Sequence, residues 1–279
     1  MAMPPHFYAA AKDVPFFHYT SLDGAIGMLT SRTIWMSDFA CMNDPQEYHY
    51  ARAAFLEAYH ARTRYIDLAP RLHLTTSLLS LEANTRMFIA CVSPTNDDPH
   101  QWERYGDGGR GCVIELDAEF LEQRAGIAIR QVVYSRRDFE RVVDAGLRMM
   151  QSQYEAAPND HEELEYLAKS FVSDFYAFKH PDFAPEQEIR LSRLIVGQGD
   201  SLEDIGGYQS DETPVPALPI LRRNGATGIT PYIALPLRRA HDDAIRSVIV
   251  GSNFPGDFSP EMQRLRMAAG DIQIRRLED

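Results

Sequence analysis

Phe16-Phe17-His18-Tyr19-Thr20-Ser21 changes secondary structure within a few residues. The aromatic, β-type residues Phe16–Tyr19 predict a short strand. Directly after them Leu22, Ile26 and Leu29 recur at helical spacing, with Thr20 or Ser21 available as the N-cap. Thr33-Ile34-Trp35-Met36 then returns to a β-type run. A strand, a helix and a second strand open the chain, and the fold class depends on whether that alternation continues.

It does not continue strictly. Asn43-Asp44-Pro45-Gln46-Glu47 reads as a helix start, with Asp44 as cap, Pro45 in the first helical position and Glu47 three residues after the cap. That helix is expected to run to about Thr63. Met87–Val92 is a near-continuous apolar run, like a strand buried on both faces. Cys112–Leu116 and Ile127–Tyr134 read as strands, with Asp117 placed to cap a helix between them. Two longer helices follow. Phe139, Val142, Val143, Leu147 and Met150 repeat at three or four, as do Leu164, Leu167, Phe171, Phe175 and Phe178. Asp160 caps the second, and His180-Pro181 is expected to stop it. Glu188–Val196, Tyr232–Leu237, Ile245–Val250 and Ile272–Ile274 complete the strands, and Ser259-Pro260-Glu261 starts a last helix that Gly270 ends.

Strands grouped at the front, middle and back predict an α+β fold of mixed, largely antiparallel sheets with several long helices packed on them. A doubly wound parallel sheet fits less well. Residues 1–279 are read as a single domain with its core at about 14–276. The stretch 197–228, rich in glycine, proline and charge, is expected to be a loop-rich insertion.

Composition narrows the function. The 28 basic and 40 acidic residues give a net charge of −12, which argues against broad nucleic-acid binding. A small anionic ligand in a locally basic cleft remains compatible. Cys41, Cys91 and Cys112 are an odd number without CxxC or zinc-type spacing, so neither a disulfide scaffold nor a metal is expected, and a reducing cytoplasm is the natural location. No apolar stretch is long enough to span a bilayer, so no membrane association is expected. There is no G-x-G-x-x-G opening a helix after the first strand, no G-x-x-x-x-G-K-[ST] and no G-x-S-x-G, which weighs against dinucleotide-fingerprint, P-loop and serine-hydrolase chemistry.

Four groups of residues are candidates for a site. His18, at the strand-to-helix junction, could direct one hydrogen bond to a ribose hydroxyl or phosphate, or could be a satisfied structural histidine. Trp102 and Tyr105, three apart, could project from one face of a short helical turn and stack on a flat heterocycle, or could simply pack. Glu186, Glu188 and Arg190 alternate on an expected strand and would share a face. A carboxylate beside a guanidinium stays charged and can steady a developing cation, although an exposed salt bridge would look the same in sequence. Asn43 is left without a role by the helix cap that explains its neighbours, and so becomes a binding candidate.

The ordered set HYTS (His18–Ser21), NDPQE (Asn43–Glu47), WERYGDGGRGCVIELD (Trp102–Asp117), FKHPDFAPEQEIRL (Phe178–Leu191), PYI (Pro231–Ile233) and IVGS (Ile249–Ser252) resembles the bacterial family known as domain of unknown function 2971. That family name implies no activity. The order of a histidine with a nearby threonine on an early strand, a mid-chain tyrosine and a late glutamate also resembles ADP-ribosyltransferases of the His-Tyr-Glu type. This second resemblance implies NAD as co-substrate, with His18 and Thr20 holding the adenosine-side ribose and Tyr105 stacking on nicotinamide. Glu188, or alternatively Glu186, would contact the nicotinamide ribose and aid transfer. Trp102, Asn43 and Arg190 are further NAD-binding candidates. The expectation is an NAD-using ADP-ribosyltransferase-like protein, a defence or toxin effector, that binds a small nucleotide and modifies an unknown macromolecular acceptor. The alternative is a non-catalytic nucleotide- or protein-binding module on the same scaffold.

Overall fold

Strand β1 (Pro15–Thr20) stops where the Ser21 side chain accepts a hydrogen bond from the Gly24 backbone N–H and caps helix α1 (Leu22–Ser31). The cap falls to Ser21, which leaves the Thr20 hydroxyl free of that task. Arg32, in the left-handed conformation, closes the helix and leads into β2 (Thr33–Asp38). The computed structural model describes residues 14–42, 45–209, 211–225 and 228–277.

Helix α2 (Pro45–Arg62) begins at the expected proline, while Asn43 and the expected cap Asp44 lie outside the described residues. Helix α3 (Leu68–Asn84) has no counterpart in the sequence reading. Its pattern is scrambled, since Leu68, Leu72 and Leu79 face solvent while Leu74 and Ser77 are buried. There follow β3 (Thr85–Val92), α4 (Pro99–Arg104), β4 (Cys112–Asp117), α5 (Ala118–Arg124), β5 (Ala128–Gln131), α6 (Arg136–Ala156) and α7 (His161–Ser173). Helix α7 ends earlier than His180-Pro181, in a 3-10 turn over Asp174–Ala177. Phe178 therefore reaches the helical core from extended backbone that bridges to Val133, not as the last turn of a helix.

Strand β6 (Ile189–Val196) is followed by the stretch expected to be loop-rich. That stretch carries the short strands β7 (Glu203–Asp204), β8 (Gly207–Tyr208) and β9 (Pro214–Val215), and then β10 (Leu221–Gly225). β10, at the end of this stretch, pairs with β11 (Gly228–Pro236) and forms an edge of the larger sheet. A small hairpin of β12 (Arg238–Arg239) and β13 (Asp242–Asp243), then β14 (Ile245–Val250), α8 (Pro260–Ala269) and β15 (Gln273–Arg276), complete the order.

The fold is α+β. A four-stranded sheet has the order β1-β4-β14-β15, antiparallel except for the β14–β15 pair, and a larger antiparallel sheet has the order β10-β11-β2-β3-β6-β5, with β7 on β6. The main core fills the space between the sheets, with Phe16, Ile114 and Val248 from one against Met36, Phe88 and Leu191 from the other. A second core lies within the helical layer, where Phe55, Phe139 and Phe171 gather from α2, α6 and α7 and Phe139 stacks on Phe178.

Two features of the topology create the site. Phe17 and Ser93 exchange backbone hydrogen bonds of 2.9 and 2.8 Å, which ties β1 to the end of β3 and so joins the two sheets. The β2–β3 ladder contains only Ser37↔Ile89 and Asp38↔Phe88, so these strands separate beyond Ser37, toward Trp35. Side chains alternate along β2, so Ile34 and Met36 enter the core while Trp35 and Ser37 point to the other face.

Candidate functional site

A cavity of about 1150 Å³ opens where the strands part, and His18, Thr20, Tyr105, Glu186, Glu188 and Arg190 all line it. It is slightly larger than the roughly 300–1,000 Å³ usual for small-molecule sites. Five of the seven candidate site residues are therefore brought together here: His18, Thr20, Tyr105, Glu188 and Arg190. Of the remaining two, Asn43 lies outside the described residues. Trp102 is buried beneath the site, where its ring meets Tyr19 edge-on and its indole N–H donates to the Asn96 carbonyl.

Trp102 and Tyr105 do not share a helical face. Asp98 caps α4 and its last residue is Arg104, so Tyr105 sits at the C-cap with φ −120° and ψ −22°. The helical spacing that would align it with Trp102 no longer holds there. Gly106 lets the chain turn close over the indole, since a Cβ at that position would lie 2.5 Å from a Trp102 ring carbon. The result is one tyrosine at the cavity and one tryptophan in the packing under it.

Cys91 of β3 connects the histidine to the glutamate. His18 Nδ1 lies 2.9 Å from the Cys91 carbonyl, which can only accept, so Nδ1 carries the proton and Nε2 of the neutral ring is left as an acceptor. Burial lowers the His18 pKa from its ordinary 6.5, partly offset by that hydrogen bond, which keeps the ring neutral at physiological pH. The Cys91 thiol donates to Glu188 Oε1 at 2.8 Å. Burial and the adjacent Glu188 charge push this thiol well above its ordinary value, so it is protonated and is no nucleophile in this setting.

Glu188 sits at the centre of a buried ion cluster. Its Oε1 accepts from Arg190 Nε at 2.5 Å, and its Oε2 from Lys179 Nζ at 3.0 Å and more weakly from Arg190 Nη2 at 3.4 Å. The Glu188 backbone N–H donates to the Tyr134 hydroxyl at 2.9 Å. Burial opposes the charged carboxylate, but Arg190 and Lys179 outweigh it and lower the pKa from 4.5 to about 2. Burial likewise opposes charge on Lys179, and Glu188 and Glu47 reverse that and raise its pKa. Glu188 is therefore a lasting anion and Lys179 a lasting cation.

Glu186 joins this cluster by a route the sequence did not indicate. It is not on the strand with Glu188, because it ends a 3-10 turn over Pro181–Glu186 and Gln187 follows with φ 44°. That left-handed residue redirects the chain, and the two carboxylates still meet on one ammonium, with Lys179 Nζ donating to Glu186 at 2.6 Å. Arg104 Nη1 donates to the other Glu186 oxygen at 2.7 Å. Glu47, read in the sequence as part of a helix cap, also pairs with Arg190 and lies 3.5 Å from Lys179. Three carboxylates thus face three cations, Arg104, Lys179 and Arg190. Lys179 sits inside the FKHPDFAPEQEIRL stretch, but nothing in its spacing distinguishes it from a surface lysine.

Tyr105 stands beside this cluster, with the Arg104 guanidinium 5.7 Å from its ring centre. Burial, helped by Glu186, raises its hydroxyl pKa to about 12, so it offers a neutral, half-exposed ring to the cavity. Among the described residues no group of three or more His, Cys, Asp or Glu side chains could hold a metal ion, and no helix is long and apolar enough to cross a membrane.

Residues 101–191 match the family model described as a protein of unknown function, DUF2971. The resemblance read from the motifs thus holds over this segment. The DUF2971 match contains Tyr105, Lys179, Glu186, Glu188 and Arg190 and does not reach His18, Thr20 or Trp35. No curated protein and no solved structure matches the chain.

Proposed function

We propose that the cavity binds an NAD-type dinucleotide and that the protein is an ADP-ribosyltransferase-like enzyme acting on an unknown acceptor. One observation supports this above the rest: His18, Thr20, Tyr105 and Glu188, four residues far apart in sequence, line a single cavity. DUF2971 carries no stated activity, so the reading rests on these residues and their order.

In such a transfer the bond between ribose C1′ and the pyridinium nitrogen breaks, and its electron pair leaves with neutral nicotinamide. The positive charge that develops on the ribose needs a fixed anion nearby. Glu188 suits this role, because a carboxylate held near pKa 2 stays ionised and is a poor proton acceptor. An acceptor lone pair then forms the new bond to C1′, and the acceptor's proton passes to water. Nε2 of neutral His18 can accept a ribose hydroxyl, and the Tyr105 ring can stack on the pyridine. The three free cysteines favour action in a reducing compartment such as the cytoplasm.

A second reading, a non-catalytic nucleotide- or protein-binding module, is favoured by the saturation of Glu188. Both of its oxygens already accept from Arg190, Lys179 or Cys91, which leaves little capacity for a reacting ribose. Incubation with NAD labelled in the adenylate half, with and without cell lysate, separates the two. The transferase releases nicotinamide and labels an acceptor, and Glu188→Gln abolishes both. Binding of NAD without either product, or products unchanged in Glu188→Gln, overturns the transferase reading.

A further inference from the structure

We propose that Trp35 and Arg223 form a second subsite in the same cavity that takes the base and phosphate of a nucleotide. The inference rests on the nucleotide reading of the cavity and extends it to a region that neither the family match nor the His-Tyr-Glu order includes.

Trp35 is 51% exposed, although it lies on an interior strand of the larger sheet. It is held in place from one side. Tyr232 of β11 packs against it with ring centres 4.6 Å apart and planes at 38°, and the Arg223 guanidinium of β10 lies 5.6 Å from its ring centre. Both come from the β10–β11 side of β2. On the other side β3 has already separated from β2, so the indole opens onto the cavity, which Trp35, Ser37, Arg223 and Thr230 all line. A large aromatic side chain braced on one side and bare on the other is a stacking platform, and such platforms hold bases at about 1–3 kcal/mol each.

Arg223 adds the charge. Its Nη2 donates to the Ser37 hydroxyl at 3.2 Å, and it forms no ion pair among the described residues. That distinguishes it from Arg104 and Arg190, which are held by glutamates, and from its neighbour Arg222, which pairs with Asp200. An unpaired guanidinium beside a braced indole matches a flat base carrying a phosphate.

The two aromatic plates, Tyr105 and Trp35, line the same cavity, Tyr105 beside the ion cluster and Trp35 on β2. Arg190 pairs with Cys91, and continuation of the Ser37↔Ile89 register would place Trp35 level with Cys91. An unbroken ladder would set Trp35 and Arg190 two strand spacings apart, about 10 Å, and the parting of β2 from β3 makes the gap wider. A base at Trp35 shares the cavity with the cluster, with its own sugar and phosphate to span that gap. It belongs either to the adenylate half of the dinucleotide or to a separate nucleotide acceptor.

The chain's two tryptophans make the test direct. Trp102 is 6% exposed with its N–H bonded, so ligand-sensitive emission comes from Trp35. AMP, CMP and NAD are titrated into the full chain while tryptophan emission is read, with Arg223→Gln and Trp35→Leu in parallel and calorimetry for the variant that lacks the signal. Arg223 is solvent-exposed, so its substitution leaves the fold intact.

Saturable quenching by AMP or CMP, weakened about tenfold by Arg223→Gln and lost to calorimetry in Trp35→Leu, is expected. Displacement of AMP by NAD assigns the base to the dinucleotide, and AMP binding alongside saturating NAD assigns it to an acceptor. Absence of saturable quenching by all three, or equal affinity in Arg223→Gln, overturns the proposal. Nucleotide quenching without NAD turnover leaves this subsite standing and removes the transferase reading. Turnover with no effect of Arg223→Gln does the reverse.

Discussion

Replacing Glu188 with glutamine keeps the shape of the side chain and removes the charge at the centre of the buried cluster. The structure sets the size of the effect. A fall in pKa from 4.5 to about 2, at about 1.4 kcal/mol for each tenfold change in proton affinity, corresponds to about 3 kcal/mol of stability. The sign follows from proton linkage. Between those two pH values the unfolded chain binds a proton that the folded chain does not. The contribution is complete above about pH 4.5, declines as pH falls, and is gone by about pH 2. Glu188→Gln should therefore be about 3 kcal/mol less stable at neutral pH, in line with the roughly 3–5 kcal/mol cost of breaking a buried ion pair by removing one partner.

Urea unfolding followed by circular dichroism, at neutral pH and at about pH 3, measures this. The gap between the two proteins should narrow clearly on acidification, because the wild type loses what the variant never had. A gap that stays constant with pH would show that Glu188 does not hold its charge through the fold, and the electrostatic account of the cluster would be refuted. The same variant is the catalytic test, so turnover must be compared under conditions where both proteins are fully folded.

Four other outcomes follow from the same geometry. Trp102→Ala should cost about 3–5 kcal/mol in a thermal or urea melt, because it empties a buried aromatic site, whereas Tyr105→Ala should lower nucleotide affinity with a much smaller loss of stability. Gly24→Ala would place a Cβ 2.1 Å from the Thr20 hydroxyl oxygen. Because alanine also favours helix by about 1 kcal/mol, stability should hold while the displaced hydroxyl weakens binding, and unchanged affinity in a titration would remove Thr20 from the site. Asp204→Asn leaves buried Arg193 without the counter-charge that sits 2.9 Å away, and a loss of about 3–5 kcal/mol with faster amide exchange over 203–209 and 211–218 is expected. In an NMR titration His18 should remain neutral as pH falls through 6.5. There the unfolded chain takes up a proton that the folded one refuses, so this residue makes stability decline toward acid pH.

Most of the architecture could be read from local chemistry. Ser21, Asp117, Ser135, Asp160 and Ser259 accept from backbone N–H groups at helix starts, and four of these five starts were anticipated from cap residues and periodicity. α3 escaped because its leucines face outward, and β10 because its burial is slight and its role is only to extend a sheet edge. The site was less legible. His18, Thr20 and Glu188 could be named because they lie in compact motifs at the ends of strands. Lys179, Cys91 and Glu47 could not, since each acquires its role from a partner on another element. The alternation Glu186, Glu188, Arg190 predicted a shared face, and the carboxylates did come together, but a left-handed Gln187 brought them there rather than the pleat of a strand.

The charges of the cluster bear on how an anionic ligand could enter. Glu47, Glu186 and Glu188 face Arg104, Lys179 and Arg190, so the cluster is internally neutral and exerts little pull at a distance. The chain as a whole carries −12 and repels a phosphate. Attraction must then come from a cation at the cavity that is not already paired, and among the described lining residues Arg223 is the guanidinium that meets this condition. A dinucleotide drawn to that end would meet the Trp35 platform first and Glu188 only once seated. Raising the salt concentration should therefore weaken nucleotide binding in the wild type and have a smaller effect in Arg223→Gln. Equal salt dependence in the two proteins would place the attraction elsewhere.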